Sequence, residues 1–412
     1  MIVEVLVLAA VAIGAAAYTR RIRVPAPPVR ASDWMHVVRR AGVAELDADS
    51  DTSFGGRDEG LAIRVDVFRD EAGVAASVAI SGLAPEIGLQ RVEASTRLLE
   101  AMGVRDLEVG DPAFDADLLL ASAKPLLARA LLDAETRAGL RAAFAGGYPL
   151  SVGRGALKAT LRHASSGPGF DADTLRTLIA LAHRLEPVRT PELRLARIVR
   201  SDPLAAVRAA ALGALLESAP RHQRTLEAVR AATKDADPAI RLRAAVAQGA
   251  EGVPVLQALA GDAGCDDAIG AEAVTALGTR LPLEAAIAAV DRAARGERLR
   301  TGLAAVGVLT EKGSPTVEPV LVAALHAPDP TLAAAAASAL GACGSVAAVP
   351  DLARAEEREP AVRRAAREAV AAIQSRLTGA TPGQVSLASG EAGQVGLADA
   401  ADGRVSLGTD ES

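Results

Sequence analysis

Two hydrophobic periods divide the chain. Between residues 61 and 69 apolar and polar positions alternate, with Leu61, Ile63, Val65 and Val67 on one face of an extended strand. A turn at Glu71-Ala72-Gly73 leads into residues 74–81, so this stretch predicts a β-hairpin. Before it, Ser32 or Asp33 is placed to cap a short helix over 34–41, and the polar, Gly-containing stretch 47–60 reads as a loop. After it the pattern predicts strands at 88–94 and 107–110 and helices at 125–132 and 135–144. Two closing strands at 149–152 and 156–161 complete a small α+β domain over residues 32–164. From Gly167 onward the period is helical throughout, and Ser165-Ser166-Gly167-Pro168-Gly169 reads as the linker between the two regimes.

The helical half repeats itself. Asp202-Pro203 and Asp237-Pro238 each precede an Ala-rich helical run, and the same stamp returns at Asp329-Pro330 and Glu359-Pro360. Pro168, Pro203 and Pro238 are 35 residues apart, Pro330 and Pro360 are 30 apart, and degenerate copies start near Asp267 and Arg298. The stamp has a mechanical reason. The carboxylate accepts from exposed N–H groups at the helix start and opposes the positive end of the dipole, and proline is tolerated at the first helical position. In the last unit Val362, Ala366, Val370 and Ile373 share a face, with Arg363, Arg364, Arg367 and Glu368 on the remainder. One hairpin cannot cover such a face alone, and stacking supplies the cover.

These units resemble HEAT repeats, in particular the short HEAT-like repeats of bilin-lyase-type and other bacterial proteins, over residues 168–377. The resemblance implies an α-solenoid used mainly as a protein-binding scaffold. The fold class expected is therefore an all-α solenoid of HEAT-like helical hairpins, preceded by a small α+β domain and one N-terminal transmembrane helix.

That helix is expected at residues 2–19, where an apolar run is interrupted only by Glu4. No basic residue precedes the run, whereas Arg20, Arg21 and Arg23 follow it, so the positive-inside rule orients the bulk of the chain to the cytoplasm at the inner membrane. Residues 20–31, with Pro25, Pro27 and Pro28, form a stiff spacer. The alternative is a cleaved export signal ending near Ala15-Ala16-Ala17, which would leave the protein in the periplasm.

Composition narrows the partner class. Every Phe, Tyr and Trp lies at or before Phe170, so the later core is packed from Ala, Leu, Val and Ile. Basic and acidic groups balance at 25 each over residues 168–377, and the tail carries one Arg against five acidic residues. Neither region attracts a polyanion, so nucleic acid is not an expected partner. Cys265 and Cys343 stand alone and read as free thiols. The expected partners are a protein on the solenoid surface and the membrane through residues 2–19, with no cofactor.

No catalytic constellation stands out. The five histidines are scattered, and the His-Glu pairs carried by HEAT-like iron hydroxylases are missing from this sequence. Ser151-Val-Gly-Arg-Gly155 lacks the spacing of a phosphate loop and reads as a hairpin turn. The densest polar cluster runs from Val109 to Asp117 and resembles the Gly-Asp-x-x-Phe-Asp stretch of membrane-anchored bacterial proteins. Asp111, Asp115 and Asp117 are the candidate hard-cation ligands there, although the order is not that of an EF-hand loop. They underlie the alternative function, a small ligand or cation bound by an α+β domain, with or without catalysis, under solenoid control. The structural reading has Gly110-Asp111-Pro112 forming a turn and Phe114 filling the core. Finally, residues 378–412 repeat Gly-x-Val-x-Leu at ten-residue spacing, which predicts an acidic tail disordered alone, read as a drifted low-complexity extension or, alternatively, as strands that add to a partner's sheet edge.

Overall fold

The computed structural model describes residues 32–70, 73–92, 106–162, 171–186, 191–376, 385–387 and 395–397. The expected membrane helix at 2–19, the spacer with Arg20, Arg21 and Arg23, and the linker at 165–169 lie outside the described residues. Among the described residues, no helix is long and apolar enough to cross a membrane. The chain divides into two compact units, residues 1–232 and 233–412.

The first unit begins with α1 (Ser32–Arg40) and carries an antiparallel eight-stranded sheet. Its strands are β1 (Ala44–Ser50), β2 (Ser53–Asp58), β3 (Leu61–Asp70), β4 (Gly73–Ser81), β5 (Gly88–Arg91), β6 (Leu118–Ala121), β7 (Leu150–Gly153) and β8 (Ala156–Arg162). In space they run β1-β2-β3-β4-β8-β7-β5-β6. The alternation read from the sequence sets the register. Ile63 pairs with Ile80, Ile80 with Leu157, Leu157 with Val152, Val152 with Leu89, and Leu89 with Leu120. This apolar row crosses six strands, and every member is buried.

Two expectations about the sheet are corrected. Residues 47–60, read as a loop, supply most of β1 and all of β2. β1 is an edge strand in which Ala44, Leu46 and Ala48 alternate with Glu45, Asp47 and Asp49, but neither face is buried and only Leu46 is partly covered. Backbone pairing to β2, interrupted by two register shifts, holds it in place. Residues 107–110 are not a strand, although Leu107 N–H does donate to Leu120 O. The strand falls instead at Leu118-Leu119-Leu120, a short run without alternation because three successive residues are buried. The turn at Arg154-Gly155 does join a hairpin, with positive φ at both residues, the conformation of a two-residue type I′ turn.

Helices α2 (Pro112–Asp117), α3 (Pro125–Leu131) and α4 (Ala134–Ala145) complete the sheet region. The same compact unit also takes in α5 (Ala172–Arg184), α6 (Pro191–Ser201), α7 (Ala205–Ser218) and α8 (Gln223–Ala232). The division at 232/233 therefore comes after the first two helical pairs, whereas the sequence places its boundary near 165–169. Side-chain bonds from α5, α6 and the start of α7 reach the sheet region within this unit.

The second unit is built of further helical pairs. It contains α9 (Pro238–Gln248), α10 (Val253–Gly261), α11 (Asp267–Leu277), α12 (Leu283–Ala294), α13 (Leu299–Lys312), α14 (Glu318–Leu325), α15 (Pro330–Cys343), α16 (Val349–Ala355) and α17 (Pro360–Arg376). The stamps at Asp237-Pro238 and Asp329-Pro330 and the degenerate copy at Asp267 each open the first helix of a pair, and Glu359-Pro360 opens α17. The core of this unit is aliphatic, built from Ala, Leu, Val and Ile, with Cys265 included. Small residues bring helices close. A Cβ on Gly341 in α15 would lie 2.8 Å from Ala369 Cα in α17, and one on Gly302 would meet Ala293.

The capping argument holds at Asp237, which accepts from Ala239 and Ile240 N–H, and at Asp329, which accepts from Thr331 and Leu332 N–H. A second ladder runs between pairs. Asp267 accepts from Arg300 and Thr301 N–H at the start of α13, and Glu318 accepts from the N–H and hydroxyl of Ser345. In return, basic side chains reach back to carbonyls about one repeat earlier. Arg292 donates to Gly261 O, Lys312 to Thr279 O, Arg358 to Leu325 and Ala327 O, and Arg376 to Gly341, Ala342 and Gly344 O. α17 buries Val362, Ala366 and Ile373 and exposes Arg363, Arg364 and Arg367, as a terminal repeat helix must to stay soluble. The tail, expected to be disordered alone, contains an antiparallel ladder of β9 (Val385–Leu387) and β10 (Val395–Leu397), two of its three repeats paired with each other.

Candidate functional site

The aspartates singled out in the sequence do not share a focus. Asp111 caps α2 by accepting from Phe114 N–H, and its other oxygen accepts from Arg137 Nε at 3.2 Å. Asp115 accepts from Val109 and Gly110 N–H, both at 2.9 Å, which holds the turn entering α2. Asp117 is exposed and lies 3.8 Å from Arg141 Nε. Phe114 is fully buried beneath them, and Gly110 takes φ +89, which explains the glycine there. Each carboxylate thus answers to a different donor. Among the described residues no group of three or more His, Cys, Asp or Glu side chains is arranged to hold a metal ion.

Asp111 leads instead into a buried charge network that sequence reading missed. Arg137 is 4% exposed. Its Nη1 donates to Leu132 O at 2.6 Å and to Asp202 Oδ2 at 3.5 Å, while Nε takes Asp111. Asp202 Oδ2 also accepts from Ala134 N–H, the first residue of α4, and Oδ1 accepts from Leu204 N–H. Asp202 belongs to the first clear stamp, but it is diverted from capping its own helix. α7 accordingly begins at Ala205 rather than Pro203, unlike the helices after Asp237 and Asp329.

Alongside, Asp133 caps α4 through Thr136 N–H and hydroxyl. Burial pushes its carboxyl up, but those donors and the Arg194 charge outweigh burial and hold it below the usual carboxylate value. Arg194, from α6, donates to Leu131 O and Arg184 O, and burial pulls its guanidinium below the ordinary arginine value. The network joins α3 and α4 to α6 and the start of α7. It is suited to fixing α6 and the start of α7 on the sheet region.

His183, at the end of α5, links another pair of elements. Its Nε2 meets Asp58 of β2 at 2.9 Å and its Nδ1 meets Glu186 at 2.8 Å. Burial pulls the ring's pKa down, and hydrogen bonds and charge from both carboxylates overcome that and raise it above 6.5. Both ring nitrogens can donate only as imidazolium.

In the second unit an open cleft of about 420 Å³ lies between α15 and α17, lined by Ser338, Gly341, Ala342, Glu368, Ala369 and Arg376 among others. Its floor is the Gly341–Ala369 approach, and the Arg376 guanidinium is engaged by three main-chain carbonyls. Small side chains and an open mouth suit contact with another surface better than enclosure of a small molecule. Cys265 and Cys343 are free thiols, both pushed up by burial and so less reactive than an ordinary cysteine.

Comparison with known proteins places the repeats. A family model of HEAT repeats matches residues 290–371, covering α13 to α16 and most of α17. No curated protein matches the chain. Among solved structures the chain is similar to human deoxyhypusine hydroxylase in complex with glycerol, at 20% identity, covering 45% of this chain and 86% of that one, with a TM-score of 0.19. A superposition at that score carries no argument about activity. Residues 290–371 are thus similar to HEAT repeats, and HEAT repeats commonly serve as protein-interaction scaffolds.

Proposed function

We propose that this protein is a membrane-anchored, non-enzymatic scaffold that presents its helical repeats to a protein partner. The carrying observation is the series of helical pairs with an aliphatic core, matched to HEAT repeats over 290–371. Such a series offers extended surface, and its polar side chains are spent on capping and on tying one repeat to the next. The carboxylates at 111, 115 and 117 likewise serve the fold, which favours the scaffold over the small-ligand reading. Residues 2–19 are the proposed tether, with Arg20, Arg21 and Arg23 holding the bulk of the chain on the cytoplasmic side of the inner membrane. Tethering raises the local concentration of the repeats for a partner at the same surface.

Fractionation tests the tether. The full chain is expected to stay with membranes through an alkaline carbonate wash, and a chain lacking residues 2–19 to be released. Release of the intact chain contradicts anchoring. The scaffold half predicts that detergent-solubilised native protein elutes with a fixed-ratio partner, and elution as the isolated chain under mild conditions contradicts it.

A further inference from the structure

Among the described residues few large apolar side chains are exposed, and two of them lie on neighbouring second helices. Leu193 in α6 is 53% exposed and Leu226 in α8 is 45% exposed, and α6 packs against α8. Arg197 and Arg200 follow Leu193 at helical spacing on the same exposed face, and Arg230 follows Leu226 by one turn on its own helix. The Arg197 side chain is 65% exposed and reaches Asp133 only at 3.7 Å. Arg200 is exposed and bonds through Nε to Ala196 O of its own helix, so its charge is not spent on a carboxylate there. Nearby acids are few. Glu192 is half-buried, and Glu227 is engaged by Arg224 at 3.3 Å.

The second helices of the later pairs differ. Their exposed positions carry Pro254 and Ala258 in α10, Ala285 and Ala288 with Glu284 and Asp291 in α12, Pro319 and Ala323 in α14, and Arg354 in α16, with no exposed leucine among them. Leucine flanked by arginine is therefore a local property of α6 and α8 and not a habit of the repeat. Solubility alone would favour the small residues found elsewhere.

We infer that the shared face of α6 and α8 is a docking surface for an acidic amphipathic helix of a protein partner. The inference rests on the scaffold reading and names the partner's chemistry. The partner's apolar stripe covers Leu193 and Leu226, and its carboxylates meet Arg197 and Arg200. Excess positive charge beside uncovered leucine excludes a basic segment and favours an acidic one. An anionic lipid surface shares part of that chemistry and is an outcome of the test.

The experiment uses the full chain in native membranes, with the photo-crosslinking residue p-benzoylphenylalanine placed singly at 193, 226 or, as a control, 288. Adducts are expected at 193 and 226 and not at 288, and mass spectrometry should map them to one segment with acidic residues and helical apolar spacing. Arg197→Glu combined with Arg200→Glu should cut adduct yield at 226 at least tenfold. All the altered side chains are exposed, so unchanged circular dichroism and thermal midpoint are expected to accompany the loss. Adducts only to phospholipid, adducts to basic segments, or a yield indifferent to the double charge reversal each overturn the proposal. A partner that crosslinks at 288 and not at 193 or 226 overturns this surface and leaves the scaffold reading standing. A chain with no protein adduct at any of the three positions and no co-eluting partner overturns both.

Discussion

Arg137 shows how much rests on one side chain. Removing one member of a buried, hydrogen-bonded charge network leaves the others unpaired, which costs about 3–5 kcal/mol. Arg137→Ala would remove the counter-charge of Asp202 and Asp111 and the donor to Leu132 O, so a loss of that order is expected in urea unfolding of the first unit. A change below about 1 kcal/mol would mean that the network is exposed to water in solution. His183 gives a signed pH effect. Its folded pKa lies above the ordinary 6.5 because Asp58 and Glu186 favour the imidazolium. The stabilisation is therefore full below about pH 6.5 and lost as pH rises through the folded value. The thermal midpoint of the parent should exceed that of His183→Gln by more at pH 5.5 than at pH 8.5. A gap that is constant with pH, or one that widens towards alkaline pH, would show that the ring is not held as a cation. Neither residue was legible in the sequence. Arg137 is one of many arginines on Ala-rich helices, and His183 meets Asp58 across 125 positions of chain.

Among the elements, what could be read depended on whether one face was buried. β3 alternates because one face meets the core, and the helices after Asp237 and Asp329 carry their capping carboxylates immediately before proline. β1 was not legible, since both faces are exposed and only backbone pairing defines it. β6 was missed for the opposite reason, with three successive residues buried. The inter-repeat ladder was also hidden, because Arg292, Lys312, Arg358 and Arg376 look like solvated charge until their acceptors one repeat back are seen. Close packing makes its own prediction. Gly341→Ala would press a methyl group to 2.8 Å from Ala369 Cα, and α15 and α17 would have to separate. Overpacking of this kind costs about 1–3 kcal/mol, to be read as a lowered denaturation midpoint of the full chain. An unchanged midpoint would show that α17 yields to the added methyl without loss of packing.

At the scale of the molecule, the helical architecture was legible in the repeat period, because each unit meets the same capping and burial problem. Composition marks a linker near 165–169, and the charge network and the His183 bonds tie α5, α6 and the start of α7 to the sheet region within a first compact unit that extends to Ala232. The sheet region thus acts as a mount for the first helical pairs, and the candidate chemistry around Asp111 is absorbed into that mount. A partner should accordingly be recognised by the helices, with the sheet contributing support.

Crosslinking mass spectrometry on the intact protein in native membranes tests this most directly, with amine- and carboxylate-reactive reagents and quantification of every intermolecular link. The scaffold account predicts one partner at a fixed ratio, with its links concentrated on residues 172–376. Links confined to residues 32–162, or no intermolecular links at saturating reagent, would contradict it.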